Sequence, residues 1–245
     1  MGFLQYCISA IQEESYLHDL IFVSLYGLIA YSFGMVIIRL FQQILSQSRW
    51  RKKVLDWKDD QSTIQLQKNY TTGRYPIIVL KHDGDIAMTA GIFLSKIYIS
   101  TNLISRLSEG ELQAVIWHEY AHCRHYDPLR LFLVRLIKDS LPFIPMFKKG
   151  YHHIQVWMEL LADQYAIRKM KGPYELACVL MKCSERKDNN MMVTHVSLAD
   201  VEINYRIKQL LLPNKVQVPL FDVKPLVVSS IFIIILSGVV ASSCS

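Results

Sequence analysis

Two long apolar stretches bracket a mixed segment. Leu20 to Ile38 carries no charge between Asp19 and Arg39, and Pro225 to Ser245 carries none after Lys224. Each is long enough to cross about 30 Å of hydrocarbon as a helix. Between them the pattern changes period. Tyr75 to Leu80 is β-branched and apolar and reads as a strand, as do 85–92 and 96–100. The turn-like His82-Asp83-Gly84-Asp85 sits between the first two. Helical spacing then predicts helices over 108–126, 129–141, 150–171, 173–187 and 199–212. Ser108 and Glu111 fit a capping box opening the first of these, and Asp127-Pro128 marks its end. In 129–141 the stripe Leu129, Phe132, Leu133, Leu136, Ile137 is interrupted by charges, so it should not span a bilayer. It fits a core helix or one at the membrane interface, and such a stripe favours the core. The pattern as a whole is α+β: a small sheet with a helix packed on it, flanked by transmembrane helices.

Composition agrees with a membrane protein. The chain has 245 residues, 51% of them hydrophobic, and a mean hydropathy of +0.20. The first apolar stretch follows Glu13, Glu14 and Asp19 rather than a basic segment, and no small-residue cleavage site precedes Arg39, so it is not read as a signal peptide. The net charge of +6 reads as topology, with no direct nucleic-acid binding expected. Arg39, Arg49, Arg51, Lys52 and Lys53 follow the first span, and Lys208, Lys215 and Lys224 precede the last. The positive-inside rule then predicts a multi-pass protein of the cell membrane: an external N-terminus (1–19), a span (20–38), a cytoplasmic domain (39–224) and a second span (225–245). The five cysteines are scattered without a C-x-x-C, and Cys123 reads as a packing residue.

The chemistry lies in His118-Glu119-Tyr120-Ala121-His122. Histidines four apart on a helix project from one face and suit two ligands of one tetrahedral Zn²⁺. Glu119 lies between them, placed as the base towards a zinc-bound water. A catalytic zinc takes three protein ligands. The best third is Glu159, with Asp163 or His153 next in line. Asp163, four residues after Glu159, can hydrogen-bond a ligand histidine and set its tautomer.

The run Leu107 to His122 followed by Asp127, with Glu159-Leu160-Leu161-Ala162-Asp163 downstream, resembles membrane-embedded gluzincin peptidases. The stretch Ala90 to Ser100 and the region Pro142 to Pro145 are similar to the BlaR/MecR-type antirepressor metallopeptidases in particular. His195 to Leu210, with Tyr205-Arg206-Ile207, also resembles the HtpX/CAAX-prenyl-protease group. The resemblance implies a zincin-like domain hydrolysing peptide bonds, with His118, His122 and Glu159 as zinc ligands and Glu119 as general base. It implies an oxyanion donor, for which His195, Tyr205 and Arg206 are candidates. Segment 96–100 is expected to pair with an extended substrate as an edge strand does. The partners it implies are a protein or peptide substrate, the bilayer and a cytosolic transcriptional repressor. The chain stops right after its last span, so no outer sensor domain is expected. Two other readings are an HtpX-like quality-control protease and a non-catalytic regulator that retains the fold.

Overall fold

The computed structural model describes residues 3–70, 73–185, 205–208, 210 and 223–243, in two compact units. One unit comprises Met1–Ile44, Leu136–Lys149 and Asp222–Ser245. The other comprises Leu45–Arg135 and Gly150–Phe221. The segment Leu136–Lys149 thus groups with the apolar helices rather than with the sheet.

Helix α1 (Phe3–Trp57) is continuous; its residues up to Ile44 belong to the first unit, and the rest, with the basic cluster at 49–53, belong to the second. Its stretch from Asp19 is long and apolar enough to cross a membrane. The last helix, α8 (Val223–Ser243), has 21 residues and an apolar described part, Val223–Ile234. Serines within both helices bond their own backbone. Ser24 and Ser32 Oγ donate to Ile21 and Leu28 carbonyls, and Ser229 and Ser237 Oγ to those of Pro225 and Ile234. Each hydroxyl proton is thereby satisfied without water.

The second unit is built on a three-stranded sheet in the order β1-β3-β2. Strand β1 (Ile77–Leu80) runs parallel to β3 (Lys96–Ser100), and β2 (Ala87–Ala90) runs antiparallel to it. β1 is buried at all four positions, as a strand covered on both faces should be. One face packs Ile77, Val79, Ile97 and Ile99 against Leu66, Leu103, Leu112 and Ile116. The other packs Ile78, Leu80 and Tyr98 against Trp50, Val54 and Trp57 from the end of α1. Segment 96–100 is therefore the central strand, which corrects the expectation that it is an edge. Both its hydrogen-bonding sides are taken within the sheet, and β2 is the edge strand beside it. β2 is shorter than the 85–92 expected. Asp85 turns away to accept from Asn102, and Gly91, at φ +114°, ends the strand.

Helix α2 (Asp60–Asn69) is capped by Asp59, and α3 (Thr101–Arg106) by Ser100, whose Oγ accepts from Leu103 N–H. The six residues of α3 are too few to show a period in the sequence. Helix α4 (Glu109–Arg124) begins with the expected capping box. Ser108 Oγ accepts from Glu111 N–H at 3.3 Å, and Ser108 N–H donates to Glu111 Oε2 at 2.8 Å. Lys182 on α7 (Tyr174–Glu185) adds an ion pair to that same Glu111 oxygen at 2.6 Å. Helix α5 (Asp127–Ser140) departs from the core reading. Among its stripe residues Leu129, Phe132 and Leu136 are half-buried, but Leu133 is 48% exposed and Ile137 45%, so part of the apolar face lies outside the core. Helix α6 (Pro145–Met170) starts earlier than expected, with Pro145 in its first turn where the missing N–H costs nothing. Ala114 of α4, Ala166 of α6 and Leu176 and Leu180 of α7 form a separate cluster that joins the three helices.

Gly91 is the residue that lets β2 turn back into β3. A Cβ there would meet the Leu94 carbonyl oxygen at 2.4 Å, in a backbone region that disfavours L side chains. Gly91→Ala is expected to lower stability by about 1–3 kcal/mol, read from urea unfolding followed by circular dichroism. An unchanged midpoint would show that the turn relaxes freely.

Candidate metal centre

Helix α4 sorts its residues by face. Leu112, Ile116 and Cys123 point into the sheet core, while Trp117 and Tyr120 face α6. Tyr120 stacks on Tyr165 of α6 at 5.8 Å, and Trp117 lies 6.4 Å from the same ring. These contacts fix the rotation of α4 against α6 and so bring His118 and His122 opposite Glu159. His118 Nε2 lies 3.2 Å from His122 Nε2 and 3.3 Å from Glu159 Oε2. His122 Nε2 lies 3.5 Å from Glu159 Oε1. Tetrahedral zinc with bonds of about 2.0–2.1 Å separates its ligand atoms by roughly 3.3–3.4 Å. The His118–His122 and His118–Glu159 separations are close to that value, while His122 is nearest the other Glu159 oxygen; taking one atom from each residue, the three lie within 4.8 Å of one another.

The tautomers agree with this. Asp163 Oδ1 faces His118 Nδ1 at 2.9 Å, and Asp127 Oδ2 faces His122 Nδ1 at 2.8 Å. With a metal bound, each carboxylate would hold its histidine's proton on Nδ1 and free Nε2 as the ligand atom. Two lone pairs and a carboxylate then converge within 3.5 Å, an arrangement that calls for a cation. His118, His122 and Glu159 are the one His/Cys/Asp/Glu cluster of this kind among the described residues. The histidines are almost buried, while Glu159 keeps 29% of its side chain exposed. The centre is therefore closed by protein on the histidine side and open beside Glu159, as a catalytic site with one free position requires.

Arg206, in the helical turn 205–208, ties the second carboxylate pair together. Its Nε and Nη2 donate to Asp163 Oδ2 and Oδ1, both at 2.7 Å. Its Nη1 lies 3.1 Å from Glu159 Oε2. This fork is what allows the fully buried Asp163 to stay ionised. Burial pushes the Asp163 carboxyl up, but the guanidinium and His118 outweigh it and hold it below the usual range. Glu159 is held low in the same way, chiefly by Arg206 against the effect of burial. For His118, burial pulls downward, yet the Asp163 and Glu159 carboxylates prevail and raise it to about 10. His122 is also raised, by Asp127 and Glu159 against burial. Without a metal, a proton on His118 takes the place of the cation.

Glu119 lies on the sheet-facing side of the histidine pair. Its carboxylate Oε2 accepts from Thr89 Oγ1 at 2.8 Å, and its backbone carbonyl lies 2.9 Å from that hydroxyl. Cys123 Sγ lies 3.7 Å from the same oxygen. Cys123 is buried in the core, as its sequence position suggested, and burial pushes its thiol up to about 12. It stays protonated.

Of the residues singled out from sequence, the structure brings together His118, Glu119, His122, Glu159, Asp163 and Arg206. Tyr205 is half-buried in the turn beside Arg206. His195 lies outside the described residues. His153 is half-buried on α6, outside the three-residue cluster. Sequence reasoning missed two roles. Asp127 marked a helix end and part of the family resemblance but was given no role, whereas Tyr126 at φ +56° turns the chain and lays the Asp127 carboxylate on His122. A polar residue just past the second histidine was the available signal. Nothing in the sequence singled out Thr89, which reaches Glu119 only because β2 packs on α4.

A family profile described as BlaR1 peptidase M56 matches residues 8–210. The chain belongs to that family. This bears out the BlaR/MecR-type resemblance read from the sequence and makes the chain a member of a membrane-associated metallopeptidase family. No curated protein matches. Among solved structures, a crystal structure of Ste24p from S. mikatae aligns at 14% identity with a TM-score of 0.46. That alignment covers 85% of this chain and 66% of the Ste24p chain.

Two measurements test the centre. His122→Ala and Glu159→Ala are expected to lose most bound zinc by metal analysis; full occupancy in Glu159→Ala would move the third ligand elsewhere. Zinc uptake must also displace the His118 proton, because its metal-free value of about 10 lies above the ordinary 6.5. Stability from that proton in the metal-free protein is full below pH 6.5 and is lost as pH rises through about 10. Zinc affinity accordingly rises with pH across that window. Calorimetry at pH 7.5 in buffers of different ionisation enthalpy should show release of about one proton per zinc. No release would mean that His118 is neutral beforehand.

Proposed function

We propose that this protein is a membrane-anchored zinc endopeptidase that hydrolyses peptide bonds at a cytoplasmic active site and cleaves a cytosolic repressor in a signalling role. The observation that carries the hydrolytic part is the convergence of His118, His122 and Glu159 on one point that could hold a metal ion, with Glu119 beside it. Membership of the M56 peptidase family supports it. When bound, zinc supplies Lewis acidity that polarises a carbonyl and makes water acidic near neutral pH.

The side chains divide the remaining work. Glu119 accepts the proton of the attacking water and passes it to the leaving amine. Thr89 holds Oε2 of that carboxylate, which leaves Oε1 for the water. Asp163 and Asp127 keep the histidines oriented, and Arg206 keeps Asp163 ionised. Arg206 retains an N–H on each terminal nitrogen, and with Tyr205 it is a candidate donor to the carbonyl oxygen. The free edge of β2 is the place for an extended substrate, since its residue Thr89 is in direct contact with the base. The orientation rests on the Lys and Arg residues that flank the two apolar helices on their inner sides.

Glu119→Gln is expected to keep its zinc and fold while cleavage of a natural or self-derived substrate falls about 10²–10⁴-fold. Zinc-loaded Glu119→Gln cleaving at the wild-type rate would replace the protease by a regulator that retains the fold. Thr89→Val, which keeps the shape and removes the hydroxyl, should lower kcat about 10- to 100-fold with zinc content unchanged, and Thr89→Ser should restore it. Orientation is read by labelling intact cells with an impermeant maleimide. A single cysteine near residue 5 should react and one near residue 150 should not. The reverse pattern would put the active site outside.

A further inference from the structure

We infer that the turn between α5 and α6 is a re-entrant hairpin whose tip, 141–147, sits among the acyl chains of the bilayer. The inference rests on the reading that α1 and α8 cross the membrane.

The tip has the right composition. From Ser140 to Phe147 the chain reads Ser-Leu-Pro-Phe-Ile-Pro-Met-Phe, without a charge. Lys138 and Asp139 precede it, and Lys148 and Lys149 follow. Charges at both necks of an apolar tip suit a segment that enters and leaves through one interface.

Contacts within this unit set its depth. Arg39 ends the apolar stretch of α1 and therefore marks one interface. Its Nε lies 2.9 Å from Asp139 Oδ2, so the neck of the hairpin is level with that interface. Lys224 is the last charge before the apolar run of α8. Ser229 and Phe232 lie five and eight residues further on, about 8 and 12 Å along a helix. Met146 N–H donates to Ser229 Oγ at 3.2 Å, and the rings of Phe143 and Phe232 are 5.6 Å apart. The tip therefore meets α8 well inside a half-bilayer of roughly 15 Å. Both neighbours give the same direction: the neck is at the charged level and the tip is beyond it.

The backbone of the tip also fits a place without water. Pro142 and Pro145 have no N–H. Leu141, Ile144 and Phe147 donate to the carbonyls of Ile137, Leu141 and Ile144. Met146 donates to Ser229, whose own proton goes to Pro225 O at 2.6 Å. A non-helical turn at hydrocarbon depth requires its backbone donors to be met by protein in this manner. Ile137, 45% exposed at the end of α5, turns apolar surface outward beside the neck.

The test places nitroxide labels on the full-length chain in phosphatidylcholine/phosphatidylglycerol vesicles. Buried Cys123 is retained and the other four cysteines are replaced. Phe143→Cys and Ile144→Cys probe the tip, each serving if the other disturbs folding. Ile234→Cys on α8 is the lipid reference and exposed Tyr174→Cys the aqueous one. Accessibility to oxygen relative to a nickel chelate should be several-fold higher at 143 and 144 than at 174, and close to that at 234. Aqueous values at 143 and 144 with a lipid value at 234 would overturn the hairpin and leave the spans standing. Shielding from both reagents would also overturn it, since protein would then cover the tip. An aqueous value at 234 would overturn the spanning reading and the hairpin with it.

Discussion

The site depends on a concentration of electron-rich atoms that is unstable unless a cation sits among them. Each of two imidazole nitrogens comes within 3.5 Å of the other and of an oxygen of one carboxylate, with the histidines almost buried and only the Glu159 side open to solvent. The outer residues increase the demand. Asp163 and Asp127 push electron density onto the histidines, and Arg206 keeps Asp163 and Glu159 ionised. Arg206 is thus not an ornament of the metal site. Without its charge, a fully buried Asp163 would protonate and stop fixing the His118 tautomer.

The same helices that make this site also restrict its motion. The two histidines come from a single turn of α4, whose start is pinned by its capping box and by Lys182. The third ligand comes from α6, and the two helices are held by the Trp117, Tyr120 and Tyr165 rings. Glu119 is anchored separately, through Thr89, to the edge strand β2, where we propose that substrate pairs. A substrate paired with β2 would thus be registered directly against Glu119. The ligands answer to helix packing and the base answers to the sheet, so loss of one arrangement need not abolish the other.

Local chemistry explains what was legible in the sequence. A capping box, an i,i+4 histidine pair and an i,i+4 acid pair are set by helix geometry alone, so α4, its ligands and the Glu159–Asp163 pair could be read from spacing. The first apolar stretch was legible in the same way, and its helix is long and apolar enough to cross a membrane. The M56 family match over residues 8–210 bears out the family resemblance carried by those helix motifs.

Tertiary structure alone decided the rest. The strand at 96–100 looks like an edge or a centre equally well, because a strand's neighbours leave no mark on its own alternation; pairing with both β1 and β2 made it central. The stripe on α5 has the period of a core helix, yet period reports only that one face is apolar, not what covers it. Thr89 and Glu119 are thirty residues apart and meet only through sheet-on-helix packing. Asp127 reaches His122 because Tyr126 takes a left-handed backbone, which no periodicity encodes. Sequence determined which groups share a helix face. Folding determined which faces meet, because contacts between elements depend on three-dimensional packing and not on spacing along the chain.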